Sequence, residues 1–257
     1  MKKNKFECKR DGLTIRGIEY KSEGNNLPIA IISHGFMANY KTVEHYANLF
    51  SKLGYAAYCF DFNGGSVLMS KSDGKTTDMS VITETKDLIA VIEYTKSLSY
   101  TNENEIILMG CSQGAFVSAL VAAKLKDKIS KLILFYPALC IPDDARNGKM
   151  MFAKFDPNNL PDTINCGPMK LGKCYVLDVL QMDPYNEIKG YLGDVLVVHG
   201  TKDKIVKMEY IEKAYNVFNE RKTNNKVEMY AIENGKHMFS KKHDKIAINY
   251  IKEFIKD

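Results

Sequence analysis

Residues 106–115 read Ile-Ile-Leu-Met-Gly-Cys-Ser-Gln-Gly-Ala. An apolar strand runs into Gly-x-Ser-x-Gly, and an Ala-rich apolar helix over Gln113–Leu125 leads out of it. This junction leaves the chain little freedom. Side chains at positions 110 and 114 would collide with neighbouring backbone, and Ser112 is forced into strained backbone angles. Its hydroxyl then stands above the end of the strand at a helix N-terminus, where N–H groups and the helix dipole favour developing negative charge. The other reading of the same five residues is a glycine-rich helix start that Ser112 merely caps.

The rest of the chain alternates in the same way. Leu13–Tyr20, Pro28–Ser33, Tyr55–Asp61, Glu105–Met109, Lys131–Tyr136, Asp194–His199 and Lys226–Ile232 read as strands. Continuous apolar runs such as Pro28–Ser33 are those of strands covered on both faces. Val43–Leu53 (stopped by Gly54), Ser80–Ser97, Gln113–Leu125, Glu209–Phe218 and Asp244–Ile255 carry helical spacing; in the second of these Val81, Leu88, Ile89, Ile92 and Leu98 share one side. Strands alternating with helices predict an α/β fold with a mostly parallel sheet and right-handed crossovers, whose site lies just beyond the carboxyl ends of the strands.

The alternation breaks from about Cys140 to Asp183. Of seven prolines, Pro142, Pro157, Pro161 and Pro168 fall there. A structureless loop of that length is out of place in a compact domain. The segment is expected to be an inserted cap, residues 140–183, on a core of residues 1–139 and 184–257. A chain of 257 residues, 45% of them hydrophobic, is enough for one such domain with a modest insertion.

Charge and cysteine content narrow the setting. The net charge of +5 comes from lysines spread along the chain, with no nucleic-acid recognition motif, so neither a nucleic acid nor a membrane is an expected partner. The six cysteines (8, 59, 111, 140, 166 and 174) form no CxxC pair and read as free thiols rather than a metal or redox motif. The basic start MKKNKFECKR has no apolar run behind it and no stretch nears the ~18 apolar residues of a membrane span, so a cytoplasmic location is expected. No metal or cofactor is implied. The oligomeric state stays open between monomer and homodimer.

Serine is a weak nucleophile at neutral pH and needs a base. Of the five histidines, His237 follows the strand Lys226–Ile232 directly, in Glu-Asn-Gly-Lys-His. His243 competes, but it lies where the last helix begins. An orienting acid is expected after the strand Val195–Val198, where Asp203 is the first carboxylate; Glu233 is the weaker substitute. Chain order Ser, Asp, His suits this arrangement. His199 and His34 read as structural. Oxyanion donors are expected at the backbone N–H of Gln113, after the serine, and of Phe36, in the loop Ser33-His34-Gly35-Phe36-Met37.

Taken together, His34-Gly35-Phe36, Asp61-Phe62-Asn63-Gly64, Ser72-Asp73-Gly74, Gly110-Cys111-Ser112-Gln113-Gly114, His199-Gly200-Thr201-Lys202-Asp203 and Gly235-Lys236-His237 resemble the bacterial cinnamoyl (feruloyl) esterases of the α/β-hydrolase superfamily. The resemblance covers nearly the whole chain. It implies an α/β-hydrolase fold with a cap inserted after the sixth core strand, and Leu160-Pro161-Asp162 and Leu171-Gly172-Lys173-Cys174-Tyr175 look like two of that cap's elements. It also implies that Asp144, with Asp143 adjacent, and Tyr175 contact the aromatic hydroxyl of a hydroxycinnamoyl group. A cap-stabilising or packing role is the other reading of both. Gly64–Ser70 replaces a shorter Gly-His-Gly turn of relatives, and Cys111 stands where many have His.

The expected activity is carboxylic ester hydrolysis by Ser112, His237 and Asp203 through an acyl-enzyme, on hydroxycinnamoyl-type esters. Rival readings are a short-chain acyl esterase, a monoacylglycerol lipase, a peptidase of the same fold, and a catalytically inactive ligand-binding protein.

Overall fold

The computed structural model describes residues 2–67, 70–221 and 223–256. In chain order its elements are β1 (Lys2–Arg10), β2 (Leu13–Lys21), β3 (Leu27–Ser33), α1 (Glu44–Lys52), β4 (Ala56–Phe60), α2 (Val81–Lys96), β5 (Thr101–Cys111), α3 (Gln113–Leu125) and β6 (Lys131–Phe135). There follow α4 (Ile141–Arg146), β7 (Lys149–Met150), β8 (Ala153–Lys154), β9 (Thr163–Cys166), β10 (Met169–Gly172), α5 (Cys174–Leu180) and α6 (Pro184–Ile188). The chain ends with β11 (Asp194–Gly200), α7 (Met208–Asn219), β12 (Val227–Ile232) and α8 (Lys241–Phe254).

Eight strands form one sheet in the order β1-β2-β4-β3-β5-β6-β11-β12. The pairs from β4 to β12 are parallel, and only β1–β2 and β2–β4 are antiparallel. This is the predicted doubly covered parallel sheet. Its inner strands alternate between two apolar layers: Ile29 and Ile31 of β3 pack with α2, α3 and α7, while Ala30 and Ile32 pack with α1 and α8. Burial on both faces is why those strands read as unbroken apolar runs.

The edge strand β1 was not expected. Its sequence KKNKFECKR is exposed except at Phe6 and, in part, Cys8 and Arg10. A strand that buries one residue in nine lacks the apolar signal, and its lysines are the usual protection of a free sheet edge. With β1 counted, Lys131–Phe135 is the sixth strand.

The predicted helices form within a few residues of their expected bounds. Ser80 caps α2 by accepting from the Thr83 N–H. Ser240 caps α8, which starts at Lys241 and so takes His243 into its first turn. Between β6 and α6 the irregular sequence folds into two short helices, α4 and α5, around two small antiparallel hairpins, β7–β8 and β9–β10. These elements close on themselves and on the core: the Cys166 thiol donates to the Met150 carbonyl, and Thr76 Oγ1 to the Lys170 carbonyl.

Candidate active site

The parallel strands run one way, so every turn that follows one opens at the same edge of the sheet. His34, Asp61, Ser112, Tyr136, Asp203 and His237 follow β3, β4, β5, β6, β11 and β12 respectively.

Ser112 links β5 to α3 with φ 54° and ψ −121°, a conformation L-residues rarely hold. The glycines explain how the turn closes. A Cβ at Gly110 would lie 2.3 Å from the Gly114 carbonyl oxygen, and one at Gly114 would lie 2.2 Å from that of His34. Ser112 makes no side-chain cap bond to α3. Its hydroxyl instead meets His237 Nε2 at 2.9 Å.

His237 Nδ1 lies 2.7 Å from Asp203 Oδ2. The second carboxylate oxygen accepts from the Ile205 and Val206 N–H groups at 2.8 and 3.0 Å. Burial alone would push the Asp203 carboxyl up, but the His237 hydrogen bond and charge and the two backbone donors outweigh it, and its pKa falls below the ordinary range. An ionised Asp203 accepts a hydrogen bond from the Nδ1–H of His237, leaving Nε2 as the acceptor for the Ser112 O–H. The relay is dry at its far end: the Asp203 side chain is 0% and that of His237 9% exposed. The ring of Tyr136 packs edge-on against His237 at 4.8 Å.

The alternatives fall elsewhere. Glu233 and His243 line a separate hollow beside β12 and α8. His199 is buried; its Nε2 hydrogen-bonds the Val206 carbonyl and so braces the Asp203 loop from behind. His34 is fully buried, and that burial holds its pKa down. Its Nδ1 donates to the Gly35 carbonyl, and its Nε2 accepts from the Phe62 N–H. Asp61 continues the bracing, accepting from the Tyr40 and Lys71 N–H groups at 2.7 Å each.

A cavity of about 520 Å³ opens over Ser112 and His237. Phe36 and Gln113, the expected oxyanion residues, both line it. So do Asp144 and Tyr175, from α4 and α5. The adjacent-aspartate ambiguity resolves here. Asp143 pairs with Arg146 at 2.6 Å and accepts from the Tyr210 hydroxyl, whereas Asp144 faces the cavity. Burial raises the pKa of the Asp144 carboxyl, against the pull of Lys149. The Tyr175 ring forms part of the wall, but its hydroxyl donates to Gln113 Oε1. In the segment Gly64–Ser70, Ser66 bridges to Met37 in the loop after β3; Leu68 and Met69 lie outside the described residues.

Sequence reasoning missed one part of this region. Glu84, on the core-facing side of α2, is buried and accepts from Gln113 Nε2 at 2.8 Å. A glutamate flanked by Thr83 and Thr85 in an amphipathic helix carries no sign that it points inward.

The arrangement can activate a hydroxyl, stabilise a developing oxyanion and return a proton to a leaving group. Among the described residues, no group of His, Cys, Asp and Glu side chains is placed to hold a metal ion. No described helix is long and apolar enough to cross a membrane.

Comparison with known proteins agrees with this architecture. An uncharacterized 31.7 kDa protein from the traX–finO intergenic region of Escherichia coli is 28% identical over 130 residues, covering 50% of this chain and 43% of that relative. The chain therefore matches less than half the length of that curated relative. Est1E from Butyrivibrio proteoclasticus, solved with ferulic acid bound, superposes with a TM-score of 0.86 at 25% identity over 98% of this chain and 100% of its own. A Pyrococcus furiosus esterase superposes at 0.72 with 20% identity, over 99% and 91% of the two chains, a likeness of fold alone. The family described as serine aminopeptidase, S33, matches residues 25–165. That is more than half of the chain, and the protein belongs to this family of α/β hydrolases.

Proposed function

We propose that the protein is a serine carboxylesterase acting on esters of hydroxycinnamoyl-type acids, with Ser112 as nucleophile, His237 as general base and Asp203 as its orienting acid. The observation that carries this reading is the unbroken relay from Asp203 through His237 to the Ser112 hydroxyl, at 2.7 and 2.9 Å, opening into a 520 Å³ cavity.

In this mechanism His237 Nε2 takes the Ser112 proton as Oγ attacks the ester carbonyl. The Asp203 carboxylate stabilises the imidazolium that forms. The Phe36 and Gln113 N–H groups bind the oxyanion, each such donor contributing about 3–4 kcal/mol to the transition state. The protonated His237 gives its proton to the departing alcohol. Water, deprotonated by the same imidazole, then releases the acid from Ser112.

Residues 140–183 serve as a cap over the acyl group. Beneath it Ile141, Met150 and the Tyr175 ring form apolar walls, and Asp144 places a carboxylate beside them, suited to accept from an aromatic hydroxyl. The likeness to Est1E with its bound ferulic acid supports an aromatic acyl group. Six free thiols suit a reducing compartment, and we place the reaction in the cytoplasm.

The test compares kcat/KM on methyl ferulate, p-nitrophenyl butyrate and a peptide amide, with Ser112→Ala as control. Turnover of methyl ferulate that Ser112→Ala abolishes is the expected result. Preference for butyrate with no ferulate turnover would overturn the aromatic reading; peptide cleavage would move the protein towards its family's aminopeptidase description. Wild-type activity in Ser112→Ala would overturn the mechanism.

A further inference from the structure

Tyr175 touches both residues whose backbone N–H groups face the reacting carbonyl in this mechanism. Its hydroxyl donates to the side chain of Gln113, and its ring lies tilted against that of Phe36 with centroids 5.7 Å apart. Gln113 in turn donates from Nε2 to Glu84. All three members of the chain Tyr175–Gln113–Glu84 are at most 1% exposed.

We propose that Tyr175 is a positioning residue: reaching in from the insert, it clamps the two oxyanion-hole residues, with Glu84 as the clamp's buried anchor. The proposal rests on the esterase reading of Ser112 and differs from what the family resemblance implies, a contact between the Tyr175 hydroxyl and a hydroxyl on the substrate.

A tyrosine hydroxyl has one proton to donate. Donating that proton to a substrate instead would leave Gln113 Oε1 buried without it, a state that proteins avoid. Gln113 has the same constraint on its other end, where its amide N–H group holds Glu84. The side chain of Gln113 is therefore fixed at both ends, and so is the first peptide of α3, which carries the oxyanion donor. Phe36 is held by the ring of the same Tyr175.

The far end of the clamp is also tied down by hydrogen bonds. Cys174 Sγ donates to the Thr77 carbonyl, and Ser80 Oγ, at the N-terminus of α2, donates to Asp178 in α5. Glu84 sits one turn further along that same α2. The insert, α2 and the oxyanion residues thus form one connected unit, and selection among acyl hydroxyl groups falls to Asp144.

Tyr175→Phe tests this, because it keeps the ring against Phe36 and removes only the hydroxyl. The substrates are methyl cinnamate and methyl 4-hydroxycinnamate, which differ by one aromatic hydroxyl. The clamp predicts that kcat falls about 10-fold on both, with KM within about twofold of wild type, since a displaced donor weakens the transition state and not substrate binding. Glu84→Leu should reproduce the loss, whereas Glu84→Gln, which keeps an acceptor for Gln113, should stay within about threefold of wild type. A loss confined to the hydroxylated ester and appearing in KM would overturn the proposal in favour of a substrate contact. Wild-type kcat on both esters would overturn it outright. The labelling rate of Ser112 by a fluorophosphonate gives a readout independent of the ester: its phosphoryl oxygen needs the same N–H donors. If the wild type labels but turns over neither ester, the esterase reading fails alone, and the Tyr175→Phe labelling ratio still decides the clamp, a 10-fold drop upholding it and an unchanged rate refuting it.

Discussion

Three hydrogen bonds converge on the buried carboxylate of Asp203, one from His237 and two from the backbone of its own loop. In Asp203→Asn one end of the side chain becomes an NH₂ group. If Asn keeps its oxygen towards Ile205 and Val206, the NH₂ faces His237 Nδ1 and forces that nitrogen to accept. The proton then sits on Nε2, where a base for Ser112 is needed. Asp203→Asn should lower kcat by about 10³–10⁴-fold with little change in KM; steady-state kinetics on one p-nitrophenyl ester checks it. Ser112, His237 and Asp203 were legible in the sequence because each follows a strand that reads clearly as one. The strand order of a parallel sheet then converts sequence position into proximity. His199 reads as structural in the sequence, and its bond to the Val206 carbonyl gives that a physical content. The direction of the Tyr175 hydroxyl was not legible: whether a phenol points into a cavity or into the protein depends on which acceptor lies behind it, and here that acceptor is contributed 62 residues away by Gln113.

At the scale of elements, α2 shows where pattern and packing part. Val81, Leu88 and Ile92 form the expected buried stripe, but Glu84 and Asp87 are buried with them. Asp87 is provided for, by Arg10 of β1 and by the Asn63 backbone and side-chain amides. This role for β1 could not be seen in a sequence that hid the strand itself. Around Glu84 lie the Gln113 amide, the Asp87 carboxylate and the Tyr175 phenol. Burial first, and then the charge of Asp87, raise its pKa well above the ordinary 4.5, although the Gln113 bond pulls the other way. The unfolded chain therefore loses this proton near pH 4.5 while the folded chain keeps it, and stability falls as pH rises above that value. One retained proton corresponds to a slope of up to about 1.4 kcal/mol per pH unit. Glu84→Gln removes the titration, so its Tm relative to wild type should climb as the pH of thermal melts is raised from 5, until the folded chain too gives up the proton. The insert allows a second comparison within one helix. Asp143 is half exposed and pairs with Arg146 on the outer side of α4, so Asp143→Ala should cost no more than about 1 kcal/mol and leave acyl preference unchanged. Asp144→Asn, facing the cavity, should change the ratio of kcat/KM between methyl 4-hydroxycinnamate and methyl cinnamate instead.

For the molecule as a whole, the cavity is notable for crossing the edge of the sheet. Ala138, Cys140, Ile141, Met150 and Tyr175 belong to the apolar layer that carries α2, α3 and the insert; Val43, Tyr46, Cys111 and Tyr136 belong to the opposite layer, with α1 and α8. Ser112 and His237 stand where the two sides meet. The sides differ in chemistry. On the α1–α8 side His45, Lys241 and Asp244 border the cavity, His45 Nε2 lies 3.3 Å from Asp244, and the Tyr46 hydroxyl donates to the same carboxylate. An ester also has two unlike halves, joined at the carbonyl that Ser112 attacks in the proposed mechanism. If the acyl half lies beneath the insert, the alcohol half must leave past α1 and α8. His45→Ala and Lys241→Ala should then alter KM for esters of large polar alcohols, while the methyl ester of the same acid is cleaved as by wild type. Asp144→Asn should do the reverse, responding to the acyl half alone. Side chains that share no partner and act on different parts of the substrate contribute independently. The double variant His45→Ala/Asp144→Asn should therefore show the sum of its single effects on kcat/KM within about 0.5 kcal/mol, measured on a hydroxycinnamoyl ester of a polyol. A coupling above about 1 kcal/mol would mean that both residues face the same half of the substrate, and the division of the cavity at Ser112 would have to be abandoned.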